Sequence, residues 1–162
     1  MRKLLSNGLA VFAGVVSMPV SGSHSAPQKP AAEHRKEPAK DPRLASLRSF
    51  FKRGHCPVAD LSLVFLEASD KYALDWRLLP SLSIVESSGG KAAPNNNLFG
   101  WDSGRAGFSS AAACIRSVAS SLKNSALYRG KDIEGILRTY NGNPGYAGKV
   151  RQVMSRIAPA AY

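Results

Sequence analysis

Cysteine, histidine and acidic residues are all scarce in this chain, and each shortage excludes something. Of 162 residues only two are Cys and three are His, which leaves little for a zinc or iron–sulfur centre. Cys56 has His55 beside it, but nothing of ligating chemistry flanks Cys114. A structural disulfide between Cys56 and Cys114 is therefore the expectation, and no metal or cofactor is expected. There is no apolar run of about 20 residues, the length a membrane-spanning helix needs. Acids number 11 against 22 basic residues, a formal net charge of +11.

The N-terminus carries Arg2 and Lys3, then an apolar stretch from Leu9 to Val16, then small residues from Ser21 to Ala26. That order predicts a secretory signal over residues 1–25, and hence a periplasmic or secreted chain without a stable membrane anchor. Residues 26–47, rich in Pro, Ala, Lys and Glu, read as a disordered linker that lacks the apolar surface to offset its ordering entropy. Residues 48–162 then form one domain, expected to be a monomer. The excess positive charge fits nucleic acid, an anionic membrane or an anionic wall polymer. Scattered basic residues and export favour the wall over nucleic acid.

Apolar spacing predicts a mostly α domain of five helices. The first covers Val58 to Ala73, with Pro57 at its start. The second follows Asp75 and runs through Leu78, Leu79, Leu82, Ile84 and Val85 to about Ser87, ended by Gly89 and Gly90. It is apolar on nearly every side, so it should be the buried central element. Pro80 conflicts with a regular helix and predicts a kink or an irregular first turn. Residues 91–108, rich in Asn, Gly and Ser, predict a loop with a short β-hairpin. Three more helices are marked by Ala111, Ile115, Val118 and Leu122; by Ile133, Ile136, Leu137 and Tyr140; and by Val150, Val153, Met154 and Ile157.

The few acids of the domain sort by position. Asp60, Glu67, Asp70 and Glu134 fall on polar helix faces, and Asp75 and Asp132 sit where helices begin. Glu86 stands apart, at the end of the most apolar helix. Apolar neighbours and the negative end of the helix dipole both disfavour a charged carboxylate there. That environment suits an acid which protonates a glycosidic oxygen, whereas exposure at a helix end is the plainer alternative. Downstream, Asn95 to Asn97 supply amides while Phe99 and Trp101 supply flat apolar faces, a combination suited to acetamido sugars.

Three segments in order carry a resemblance: Ile84-Val-Glu-Ser-Ser-Gly-Gly-Lys91, Asn96-Asn-Leu-Phe-Gly-Trp101, and Thr139-Tyr-Asn141 followed by Pro144-Gly-Tyr-Ala-Gly-Lys-Val150. Together they resemble the lysozyme-like superfamily. The pattern is most similar to the glucosaminidase-type (mannosyl-glycoprotein endo-beta-N-acetylglucosaminidase-like) domain of bacterial autolysins and flagellar peptidoglycan hydrolases, near the soluble lytic transglycosylases. The resemblance implies a lysozyme-like helical domain that cleaves the glycan strands of peptidoglycan, with Glu86 as catalytic acid. It implies that Asn97, Phe99 and Trp101 line one wall of the cleft, and that Tyr140 faces the sugar from the other, with Asn141 and Tyr146. Many relatives carry an aromatic residue where Ser88-Gly89-Gly90 stands here. A second carboxylate would be Asp102, the only acid near the aromatic loop; otherwise Glu86 acts alone and the product is anhydro. A non-catalytic wall-binding protein of the same fold is the competing class.

Overall fold

The computed structural model describes residues 41–159, and it is mostly helical. The signal of residues 1–25 and most of the linker of residues 26–47 lie outside the described residues. The described residues form six α-helices: α1 (Pro42–Arg53), α2 (Ser62–Lys71), α3 (Leu78–Ser87), α4 (Ala111–Asn124), α5 (Ile133–Tyr140) and α6 (Tyr146–Ile157). Among the described residues there is no β-strand, so the expected hairpin is absent. Residues 88–110 are instead turns around one 3-10 turn at Pro94–Asn96. No described helix is long and apolar enough to cross a membrane.

Helix α1 begins inside the stretch read as linker. Asp41 caps it by accepting from the Arg43 amide at 2.9 Å, and Pro42 occupies the first position, where a missing N–H costs nothing. Leu44, Leu47, Phe50 and Phe51 recur on one face and are buried. Burial of each such side chain stabilises by about 1.5–3 kcal/mol, enough to hold a charged, Ser-containing segment helical. Phe51 meets Phe65 of α2 with ring centroids 5.4 Å apart, and Arg43 bridges Asp41 and Asp70.

The helix expected over Val58–Ala73 is divided into a 3-10 turn, Pro57–Leu61, and α2. Helix α3 is the buried centre, with Leu78, Leu79 and Leu82 fully enclosed, and it packs along α6. No kink arises at Pro80, because the helix starts at Leu78. Pro80 thus lies in the first turn, where the amide has no helical acceptor. Asp75 acts ahead of that start, its carboxylate accepting from the Arg77 amide at 2.9 Å and pairing with the Arg77 guanidinium. Helices α4, α5 and α6 match the expected stripes, with Asp132 capping α5 through the Gly135 amide at 2.7 Å.

The two cysteines are not joined. Both thiols are free and buried. Cys56 is packed against Gly54 and Gly89, whereas Cys114 lies on α4 against the backbone of Leu98 and Phe99. Burial pushes the Cys114 thiol up to about 11.

Candidate active site

Helix α3 ends in a manner that fixes its last residues closely. Ser88 itself adopts the left-handed conformation (φ 53°), ahead of the two glycines expected to stop the helix. The amides of Ser88 and Gly89 return to the carbonyls of Ile84 and Ser83, each at 3.0 Å. Gly89 (φ +67°) is needed for space as well as angle, because a methyl group there would lie 2.7 Å from the Cys56 sulfur. Ser87 completes the terminus. Its buried hydroxyl lies 2.8 Å from the Leu98 carbonyl and 3.0 Å from that of Ser83, and it accepts from the Gly90 amide at 3.1 Å. The serine following the acid thus fastens the helix end to the aromatic loop.

Glu86, half-buried, sits on this terminus. The Tyr146 hydroxyl donates to its Oε1 at 2.6 Å. The other oxygen, Oε2, faces Gly100, where a methyl group would come within 3.3 Å of it. Gly100 has φ +58°, so both angle and space select glycine. Burial, followed by the hydrogen bond to Glu86 and the negative charge of that carboxylate, drives the Tyr146 hydroxyl far above the ordinary tyrosine range. It therefore remains a donor at any physiological pH.

Tyr146 belongs to a row of rings. It stacks on Tyr140 with centroids 5.9 Å apart and planes 8° from parallel. Tyr140 lies 5.9 Å from Trp101, and Trp101 lies 6.1 Å from Tyr128. The Tyr140 hydroxyl donates to the Phe99 carbonyl, tying α5 to the loop. Burial, then the Glu86 charge, pushes its pKa well above the ordinary tyrosine range too. Beside this row runs a cleft of about 440 Å³ lined by Gly100, Trp101, Asp102, Leu127, Tyr128 and Tyr140. Leu127 is an exposed large apolar side chain (59%) on its rim.

Several expected residues occupy other roles. Asn97 is buried; its amide donates to the carbonyls of Trp101 and Ala106, each at 3.0 Å, and its oxygen accepts from the Trp101 amide at 2.8 Å. All its polar capacity toward that side goes into shaping the loop. Phe99 is a core residue, 1% exposed, and offers the cleft no face. Asn141 is exposed at the end of α5, where its oxygen accepts from the Asn143 amide at 3.0 Å, and it lines a different cleft with Arg138 and Arg151. Asp102 is exposed and paired with Arg105 at 2.7 Å. The hydrogen bond and charge of Arg105 hold its carboxyl below the ordinary range. It stands on the cleft rim, with its charge directed to Arg105.

Glu86, Tyr146, Tyr140 and Trp101 thus form one contiguous row, with Trp101 and Tyr140 in contact rather than on opposite walls. Gly100, Ser87, Tyr128 and Leu127 were not singled out from sequence. The first two lie inside the quoted motifs and carried a signal there; Tyr128 and Leu127 lie in a short loop after α4 that shows no pattern. Among the described residues no group of His, Cys, Asp and Glu assembles to hold a metal ion. Comparison of the chain with protein-family models, with curated proteins and with solved structures finds no match to any of them.

Proposed function

We propose that this chain is an exported glycosidase that cleaves the β-1,4 glycan backbone of peptidoglycan, with Glu86 as general acid. The observation that carries the reading is the division of labour at the Glu86 carboxyl. Tyr146 holds Oε1, and Gly100 leaves room over Oε2. A proton on Oε2 is then the one available to a glycosidic oxygen. As the C1–O bond breaks, that proton passes to the leaving oxygen, and the positive charge at C1 is borne by an oxocarbenium-like sugar. The carboxylate that remains keeps the hydrogen bond from Tyr146. The ring row supplies apolar faces for sugars, and the cleft volume is within the range of small-ligand sites.

The Asp102–Arg105 pair bears on the second half of the reaction. A carboxylate already neutralised by a neighbouring guanidinium is a poor nucleophile or base for C1. That favours Glu86 acting twice, first as acid and then as base toward a hydroxyl of the substrate itself, which closes an anhydro ring. Capture by water in place of that hydroxyl would give the ordinary hydrolytic product. Purified wall polymer treated with the wild-type protein and with Glu86→Gln tests both points. Soluble fragments are expected from the wild type alone, and their masses distinguish anhydro from hydrolytic ends. Degradation by Glu86→Gln at the wild-type rate overturns the reading, and retention of wall binding without any release by the wild type would assign the chain to wall binding instead.

A further inference from the structure

A second cleft, of about 460 Å³, shares no lining residue with the aromatic one. Arg53 of α1, Lys91 of the loop and Arg156 of α6 all line it, and no acid does. Five other arginines pair with carboxylates: Arg43 with Asp41 and Asp70, Arg77 with Asp75, Arg105 with Asp102, and Arg138 and Arg151 with Glu134. The three cations of this cleft have none among the described residues. Arg53 donates to the Ser49 hydroxyl at 2.6 Å, Lys91 to the Gly54 carbonyl at 2.9 Å, and Arg156 lies over the Phe50 ring at 5.9 Å. These contacts orient the side chains without neutralising them. Three exposed like charges around one hollow give it a positive potential, and low-dielectric walls focus that potential on an entering anion. Phe50 and Ile84 supply such walls.

We propose that this cleft binds an oxyanion group, a carboxylate or a phosphate, through Arg53, Lys91 and Arg156. Its position suggests the source. Ile84 of α3 and Ser88, the residue that caps its end, line the cleft on either side of Glu86 in sequence, so the cleft and the acid flank one helix end. Residues two apart on a helix point to different sides. A branch leaving a glycan at Glu86 must therefore pass around about 10 Å of helix. An extended peptide of about three residues, at about 3.4 Å each, covers that span. The oxyanion is then the terminal carboxylate of a peptide carried by the glycan; that assignment alone rests on the function proposed above.

Calorimetric titration of the full chain carrying Glu86→Gln tests the site without requiring turnover. The probes are inorganic phosphate, a short alanine peptide with a free terminal carboxylate, and the same peptide as its carboxamide. The carboxylate peptide is expected to bind at least tenfold more tightly than the carboxamide, and binding is expected to weaken with added salt. Arg53→Gln with Arg156→Gln, which keeps both polar stems, is expected to weaken it at least tenfold while leaving the melting temperature near that of the parent. Phosphate binding as tightly as the peptide supports the site and transfers its source to a phosphate-bearing polymer. Absence of binding by both anions, or binding unchanged in the double variant, overturns the proposal.

Discussion

The Tyr146 hydroxyl and the Glu86 carboxylate, 60 positions apart in sequence, lie 2.6 Å from one another across the junction of α6 and α3. Hydrogen bonds to charged groups are worth about 1.5–3 kcal/mol. If the carboxylate is stabilised as the leaving group departs, Tyr146→Phe is expected to lower wall-polymer cleavage about 10- to 100-fold. The ring and its stack on Tyr140 remain, so circular dichroism should be unchanged. Initial rates on solubilised glycan strands check this. A rate equal to that of the wild type would remove Tyr146 from the reaction.

Gly100→Ala inserts a methyl group 3.3 Å from Glu86 Oε2 at a backbone angle of φ +58°. The left-handed conformation costs a side-chain-bearing residue about 1–2 kcal/mol, so the urea midpoint should fall accordingly. Activity should fall further than stability accounts for, because the methyl group occupies the approach to Oε2. Rates measured well below the denaturation midpoint separate the two effects.

Both thiols should be present in the reduced form in the purified protein. Cys56 and Cys114 are buried and unpaired, and burial raises the Cys114 thiol to about 11. Native protein at neutral pH is expected to resist a thiol reagent, and to take up two equivalents once unfolded. Mass spectrometry without reductant, showing the loss of two hydrogens, would instead establish a disulfide. Cys114 also gives a sign to alkaline stability. Its folded value is raised, so its contribution is complete below the unfolded value of about 8.5 and is lost as pH climbs through about 11.

Asp75 gives the opposite sign at acid pH. Burial raises its carboxyl, but the side-chain and backbone hydrogen bonds from Arg77, with the charge of that residue, outweigh burial and lower it overall. Its stabilising contribution is therefore complete above the unfolded value of about 3.9 and is lost as pH falls through the lower folded value. Asp75→Asn should reduce stability at neutral pH by about 1 kcal/mol and flatten the acid limb of a denaturation profile. An unaltered acid limb would show that the Arg77 pair does not act in folding.

Helices α4, α5 and α6 were legible because each has an apolar stripe that ends where its burial ends. Helix α1 was missed for a compositional reason: Arg43, Arg48, Lys52 and Arg53 continue the charge pattern of the linker and hide the spacing of Leu44, Leu47 and Phe50. Pro80 reads as interior when Asp75 is taken as the cap; the observed start of α3 at Leu78, two residues later, makes it a tolerated first-turn proline. At the site, residue type was legible and direction was not. A loop without regular periodicity does not reveal which way Asn97 and Phe99 turn, and both turn inward. The expected bridge between Cys56 and Cys114 rested on an even count, which says nothing about proximity, and both thiols are free.

The two tyrosine hydroxyls make the aromatic cleft a product of distant chain segments. Tyr140 reaches Phe99 across 41 positions, and Tyr146 reaches Glu86 across 60. Contacts of such separation are slow to form, since each must overcome the entropy of closing a long loop. A chain emerging from synthesis therefore completes helix α3 long before the acid acquires its partner. Any nascent fragment ending before residue 140 holds Glu86 with neither ring in place. Assembly of the site is in this sense its own timing device: the acid is furnished for work only when the last helix docks.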